Sequence, residues 1–521
     1  MKRRDFIKNT SLLTATPFVI GGLSVTANSS PVLETLAKKA NAEDKILILI
    51  QLVGGNDGLN TVIPLDKYDK LFNARENIII DEKKTLKLTD SVGLHPVMTG
   101  MKTLWDEGKL AVVQNVSYPS QNFSHFRSTD IWTSASEADK YVSSGWIGRY
   151  LNNLHPQFPE NYPNDDYQDP FSITVGSLVS QTCQGPIFSM GLALNSATNF
   201  VDLNKNPDED KLDSEYGKEL NYVRTVIAQT EKYVDVLQNA IDKSNVDDNI
   251  WSDLNFNLAN QLKIVAQLLS GGIKTKVFVC SIGGFDTHST QISDENDTSI
   301  GAHANLLAQV SSSIYAFQKQ IEATGISDKV VGMTFSEFGR RIISNSSLGT
   351  DHGSAAPMFV FGDSINAGIY GNNPDIPDNV DVSSNLEMEF DFRDIYSTVL
   401  RDWFEVNNSQ LNEIMFREFD ILPLFKTTSV KNNTSNIDAV RVYPNPASNK
   451  TNLKFFTKAG GVKIELFDMS GRKVADIFNS YLGNGEHNID INLLKINNGQ
   501  YLIKVSDEKG LFNSVKLIVN K

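Results

Sequence analysis

Two unbroken apolar runs, ILILIQLV at 46–53 and KLAVVQNV at 109–116, stand out from the alternating patterns around them. Runs of this length fit strands buried on both faces, as a parallel sheet requires. Between them VMTGMKTLWDEG (97–108) spaces its apolar residues for a short amphipathic helix. Farther on, LNFNLANQLKIVAQLLSGG (254–272) has helical spacing and stops at Gly-Gly, and the strand-like KTKVFVCSIGGFD (274–286) follows. AHANLLAQVSSSIYAFQKQIEATG (302–325) predicts a further helix, then KVVGMTFSEFG (329–339) and PMFVFG (357–362) predict strands. Repeated strand–helix–strand order over 43–425 predicts an α/β domain, a mainly parallel sheet with helices on both faces.

Polar composition breaks this rhythm at three places. From about 150 to 250 the Pro/Asn/Asp-rich LNNLHPQFPENYPNDDYQDP and the charged NKNPDEDKLDSEYGKEL predict a cap-like insertion, loops with one or two helices beside the sheet. KTTSVKNNTSN (426–436) reads as a linker. Beyond it, over 437–521, short alternating strands separated by Pro-Asn-Pro, Ser-Gly and Lys-Gly turns predict a small all-β sandwich. At the other end, the charged start and apolar stretch of MKRRDFIKNTSLLTATPFVIGGLSVTA read as a signal peptide and leader over 1–42, cleaved after Ala27 or after Ala42. No other stretch reaches the roughly 18 apolar residues of a membrane span, so the mature protein is expected without one.

Composition narrows the function classes. The formal net charge is −14, and no Lys/Arg-rich run lies outside the first eight residues, which argues against a nucleic-acid partner. There are two cysteines, Cys183 and Cys280, so one disulfide is possible but no framework, and the absence of a CxxC speaks against thiolate zinc and thiol redox sites. No GxGxxG opens a helix, which sets an oxidoreductase aside.

In an open α/β sheet, ligands bind outside the carboxyl ends of the strands. Collected from those ends, the polar residues form a set. VGGNDGLNT supplies Asp57, and YPSQNFSHFRSTDIW supplies Ser124, His125, Arg127, Ser128 and Asp130. GGFDTH supplies Asp286 and His288, SEFGR supplies Glu337 and Arg340, and GTDHGS supplies Asp351 and His352. Asp, Glu and His without Cys suit a hard or borderline divalent ion such as Zn, Mn, Mg or Ca. Each residue alone has a plainer reading: a helix N-cap for an aspartate, a turn for His288 or His352, a salt bridge to Arg340 or Arg341 for Glu337.

The stretches GGNDGLNTVIP, SHFRSTDIW, GWIGRYL (145–151), GGFDTH, SEFGR and GTDHGSAAPMFVFG together resemble the DUF1501 family of exported proteins, placed in the alkaline phosphatase-like superfamily. The resemblance implies that superfamily's fold and two divalent metals around a hydroxyl nucleophile, with one metal site weakened, lost or rebuilt where Phe338 replaces a histidine. Asp57 then resembles the first-strand metal aspartate, Asp286 and His288 an aspartate–histidine pair, and His352 the last metal histidine. Glu337 stands at the strand end where relatives carry an Asp-His pair, but Phe338 stands in place of that histidine. Asp351-His352 could itself be the pair. Ser124, Ser128 and Thr61 are the candidate nucleophiles, with Ser124 first. Arg127 or Arg340 would neutralise an anionic ester, and His125 would protonate the leaving group or orient Ser124. The sulfatase C-x-P-x-R signature is absent, which argues against formylglycine chemistry.

The tail resembles the type A C-terminal sorting domain of the type IX secretion system of Bacteroidota, through Tyr443-Pro444-Asn445-Pro446, Asp468-Met469-Ser470-Gly471-Arg472, Gly499-Gln500-Tyr501 and Lys516 to Lys521. Arg3-Arg4 with Asp5-Phe6-Ile7-Lys8 resembles a twin-arginine export motif. These resemblances imply the secretion machinery as a partner and passage through the periplasm to the cell surface or beyond. Two functions follow as expectations: an exported metal-dependent hydrolase of phosphate or sulfate esters, or a non-catalytic exported binding or scaffold protein using the same cleft. Phe338 favours the second, and the clustering of His125, His288 and His352 favours the first.

Overall fold

The computed structural model describes residues 44–160, 162–195, 233–426, 437–457, 459–468, 472–507 and 512–521, and the backbone of 18–20 and 23–25. The twin-arginine motif, both cleavage positions, most of the linker and part of the charged insertion lie outside the described residues. Contact density divides the chain into two units, 1–426 and 427–521.

The first unit is organised by strands β1 (Ile46–Val53), β2 (Leu110–Ser117), β3 (Ser172–Val175), β4 (Gly191–Leu194), β5 (Val277–Gly283), β6 (Val330–Phe335), β7 (Ala356–Phe361), β8 (Gly368–Tyr370) and β9 (Phe390–Asp391). They form one sheet in the order β8-β2-β7-β6-β1-β5-β3-β4, and β9 also pairs with β2. Every pairing is parallel except those that β7 makes with β6 and β2.

Alternation along β1 shows why the run is apolar throughout, because successive side chains point to opposite faces. Ile46, Ile48, Ile50 and Leu52 enter one core, while Leu47 and Leu49 enter the other. On the first face lie helices α2 (Thr99–Asp106), α5 (Asn257–Ser270) and α6 (Ala302–Ala323), through Leu104, Leu262, Val265, Val310 and Phe317. On the second lie α3 (His125–Ser134), α4 (Trp146–Leu154) and α7 (Phe392–Thr398), through Ile131, Trp132, Trp146, Leu151 and Tyr396. Fully burying such a side chain contributes about 2 kcal/mol, so a strand lined on both faces is pinned in register. A further helix, α1 (Tyr68–Arg75), follows the turn after β1.

Two features differ from the sequence expectation. The insertion is more than loops and helices beside the sheet, since β3 and β4 extend the sheet itself at one edge. Strand β7 runs against its neighbours, which brings its amino end to the edge where the parallel strands have their carboxyl ends. Both cysteines are free and buried, so the possible disulfide does not form.

The second unit contains two antiparallel sheets. One joins Ile437–Tyr443, Lys450–Thr457 and Gly485–Asn492, and the other joins Lys473–Leu482, Gly460–Asp468, Gly499–Asp507 and Phe512–Val519. Leu453, Phe455 and Ile491 from the first sheet share one core with Ile464, Leu466, Ile503 and Leu517 from the second, as a sandwich requires. Among the described residues, no helix is long and apolar enough to cross a membrane.

Candidate metal centre

Four loops converge at the carboxyl edge because glycines let their backbones touch. A Cβ on Gly54, whose φ is +124°, would lie 2.3 Å from the Asp286 nitrogen, and one on Gly55, at φ +83°, would lie 2.4 Å from the Phe338 ring. These two glycines seat the turn after β1 against the turns after β5 and β6. Past β6, Gly339 N donates to the Ser354 carbonyl at 2.7 Å, and Gly353 N donates to the Gly339 carbonyl at 2.9 Å. That short ladder carries His352 to the edge just before the reversed strand β7. Had β7 run parallel, the residue preceding it would sit at the far end of the sheet.

Around Asp286 the side chains gather. Asp286 Oδ1 lies 2.8 Å from His288 Nδ1, 3.2 Å from His352 Nε2, 3.5 Å from His125 Nε2 and 2.7 Å from Arg340 Nη2. Ligand atoms of His125, Asp286 and His352 all lie within 4.8 Å of one another. A tetrahedral ion with bonds of about 2.1 Å sets its ligand atoms about 3.4 Å apart, close to the two nitrogen–oxygen separations here.

The outer nitrogens of two imidazoles are fixed by acceptors. His352 Nδ1 donates to the Phe123 carbonyl at 2.8 Å, and His125 Nδ1 lies 2.9 Å from Glu337 Oε1. A carbonyl or an ionised carboxylate can only accept, so Nδ1 is the nitrogen that would carry the hydrogen, and a ring in that tautomer offers a lone pair at Nε2. The His352 lone pair then faces a carboxylate oxygen at 3.2 Å, an arrangement of two acceptors that calls for a cation or a proton between them. The donor set therefore fits a divalent ion, with His125, Asp286 and His352 as the residues that would hold it.

The electrostatics agree with this arrangement. Burial pushes the Asp286 carboxyl up, but the hydrogen bond and charge of Arg340, together with the flanking imidazoles, outweigh it and hold the group down at about 2. Burial lowers His352, against the opposing pull of the Phe123 carbonyl and Asp286, which favours the neutral ring. Phe338, 1% exposed, packs its ring 4.9 Å from that of His125 and 4.5 Å from that of His352, centroid to centroid, as an apolar wall.

Other candidates lie elsewhere or serve differently. Asp57 is not at the cluster's open side: its carboxylate is enclosed, with Arg75 Nη1 at 2.9 and 3.0 Å and Gln291 Nε2 at 2.7 Å. Burial raises its carboxyl, and Arg75, His303 and Gln291 together hold it below the usual range. A guanidinium thus supplies the positive charge that a metal would bring. Glu337 points its Oε1 to His125 Nδ1 and to the Gly54 nitrogen at 2.8 Å, behind the ligand set.

The arginines expected to meet an anion are occupied by the chain's own oxygens. Arg340 donates to the carbonyls of Gly55, Gly54, Thr350 and Phe285 as well as to Asp286. Arg127 pairs with Asp130 and donates to the carbonyls of Glu137, Ala138 and Lys140. Of the three hydroxyls, Thr61 and Ser128 are buried and hydrogen-bonded, whereas Ser124 is exposed at the N-cap of α3, beside His125. Asp351 is exposed, and its Oδ1 accepts from Asn345 Nδ2 at 3.1 Å, so it takes no part in the cluster.

Arg75, Gln291, His303 and the Phe123 carbonyl were not visible as site residues in the sequence. Arg75 and His303 sit inside helices α1 and α6, where a polar residue looks like part of a solvated face. Only the pairing of a glycine-turn aspartate with a distant arginine could have flagged the first.

An α/β sheet carrying a His/Asp cluster at its carboxyl edge is the class that fold and site define. Residues 44–414 match the family model described as "Protein of unknown function (DUF1501)", and the chain belongs to that family. Residues 441–520 match the model of a secretion system C-terminal sorting domain, which marks an exported protein. No curated protein matches the chain. Among solved structures, PsFucS1, a sulfatase from Pseudoalteromonas sp., is 10% identical with a TM-score of 0.33, over 89% of this chain and 88% of that one. The alkaline phosphatase of the Antarctic bacterium TAB5 is 8% identical with a TM-score of 0.25, over 72% and 99%. Latent PorU of Porphyromonas gingivalis is 25% identical with a TM-score of 0.14, over 16% of this chain, which spans only 9% of PorU.

Proposed function

We propose that this chain is an exported, divalent-metal-dependent hydrolase of phosphate or sulfate esters, with its ion held by His125, Asp286 and His352. The observation that carries this reading is the anchoring of both Nδ1 atoms, which leaves two Nε2 lone pairs and a carboxylate facing one another. When bound, such an ion acts as a Lewis acid and lowers the pKa of a water. The protein's own groups have separable tasks. Arg340 keeps Asp286 ionised, Phe338 excludes water behind the imidazoles, and the Phe123 carbonyl orients the His352 ring. His288, half-exposed with Nδ1 on Asp286, has Nε2 left to exchange a proton with a leaving group. Ser124 is the exposed hydroxyl beside the cluster.

The sorting domain supports delivery to the cell surface or the medium by the type IX machinery. A second reading, a non-catalytic binding or scaffold protein, draws on the arginines: neither Arg127 nor Arg340 has its guanidinium free for an anion. Elemental mass spectrometry on the full chain and on His352→Ala separates the readings, together with turnover of p-nitrophenyl phosphate and sulfate. The hydrolase reading expects a bound divalent ion that the variant loses, and ester turnover that falls with it. No metal after incubation with Zn, Mn, Mg and Ca would sink it. Metal without turnover of either ester favours the binding protein.

A further inference from the structure

Glu337 is 1% exposed, and its carboxylate has two donors fixed by the fold. Oε1 accepts from Gly54 N at 2.8 Å and meets His125 Nδ1 at 2.9 Å, so one oxygen joins the turn after β1 to the first residue of α3. The residue is held on its backbone side as well, because the Ser128 hydroxyl, one turn further along α3, donates to the Glu337 carbonyl. The ring it faces is further confined by Phe338 and by His352, whose centroid lies 4.5 Å away at an interplanar angle of 83°. A buried carboxylate with an imidazole as its partner recurs where a ring must present one chosen nitrogen.

We propose that Glu337 is the positioning residue of this centre: its buried carboxylate holds His125 as the Nδ1–H tautomer and turns the Nε2 lone pair toward Asp286 and His352. Its effect on metal affinity rests on the hydrolase reading, while its effect on the tautomer does not. Glu337 acts through His125 and does not itself meet the ion. It also explains why a glutamate, one methylene longer than aspartate, closes β6: the carboxylate must reach both the β1 turn and the α3 ring. The glycine at 54 belongs to the same device, since its nitrogen donates to Oε1 and its φ of +124° is one that a residue with a Cβ rarely adopts.

The experiment compares the full chain with Glu337→Gln and Glu337→Leu, each labelled with 15N-histidine. Long-range 1H–15N spectra of the metal-free proteins read the His125 tautomer, and competition with a chromophoric chelator reads zinc affinity. The wild type is expected to show Nδ1–H at His125. Glu337→Leu should shift that ring toward Nε2–H, while Glu337→Gln, which keeps an acceptor oxygen, should retain most of the Nδ1–H form. Zinc affinity should fall about 10- to 100-fold in the leucine variant and less in the glutamine variant. Circular dichroism identifies a variant that does not fold, and the glutamine variant then carries the comparison. An Nε2–H tautomer in the wild type would overturn the proposal, as would an unchanged tautomer in a folded leucine variant. A wild type with the Nδ1–H tautomer and no affinity for zinc supports the positioning role and removes the hydrolase reading instead.

Discussion

Asp57 and Asp286 follow similar glycine turns on neighbouring strands, β1 and β5, and both have carboxyls held below the ordinary range. Their surroundings differ. Asp57 is 1% exposed and saturated by Arg75 and Gln291, whereas the Asp286 side chain is 48% exposed and ringed by three imidazoles and Arg340. One carboxylate braces the edge of the sheet, and the other is placed to meet something from outside. Position after a strand is therefore not enough to make a ligand. What decides is whether the fold encloses the carboxylate or leaves it open to solvent, since both charges are answered by an arginine.

The comparison breaks most visibly at Arg75. Arg75→Ala leaves Asp57 buried and unpaired and removes donors to the Ile342 and Arg341 carbonyls, so it should cost about 3–5 kcal/mol. Urea unfolding followed by tryptophan fluorescence measures this, since all five tryptophans lie before residue 427. A further Asp57→Leu substitution on that background should recover part of the loss, because no buried charge remains. If Arg75→Ala unfolds like the wild type, Asp57 is not held by that pair and its role as a ligand reopens.

The brace also has a pH signature. His303, whose Nε2 lies 3.0 Å from Asn56 Oδ1, is lowered to about 4 by burial, and His95 beside it to about 3. A depressed folded pKa means that the stabilising contribution is complete above the unfolded value, about 6.5, and is lost as pH falls toward the folded one. At pH 5 each ring should have lost about 2 kcal/mol. Asp394, pushed up to about 6 by burial, titrates nearby with the opposite sign, so the test is the difference between proteins. Between pH 7 and 5 the urea midpoint of His303→Gln should fall less than that of the wild type. Equal slopes would show that His303 does not take up a proton on unfolding.

How much of this contrast was legible in the sequence follows from the range of each signal. The strands and main helices show because burial on one or both faces writes a local period. The sequence collected Asp286, His288, Glu337 and His352 at the strand ends because each sits near glycines that permit close approach. The direction of β7 was not legible: PMFVFG is equally apolar read either way, and β3 and β4 are too short to write a period. The role of Asp57 was hidden because its partners stand 18 and 234 positions away along the chain. Glu337 looked like a ligand for a related reason. Composition at a strand end gives a donor type, while the atom it faces is set by α3, which is far off in sequence.

The smallest effect on stability should come from Asp286 itself, and there the comparison is sharpest. Its folded pKa of about 2 against an unfolded value of about 3.9 means that it stabilises above pH 3.9, and that this is lost as pH falls toward 2. Because the side chain is half-exposed, solvent screens the interaction and the contribution should be no more than about 1 kcal/mol. Asp286→Asn should thus shift the urea midpoint little, far less than Arg75→Ala. On the proposed hydrolase reading its effect on metal should run the other way: the asparagine keeps the shape but loses the charge between His125 and His352, so the bound divalent ion should fall below detection by elemental analysis. Arg75→Ala, in whatever fraction remains folded, should keep that ion. If Asp286→Asn instead destabilises as much as Arg75→Ala and keeps its metal, the two carboxylates have been assigned the wrong way round.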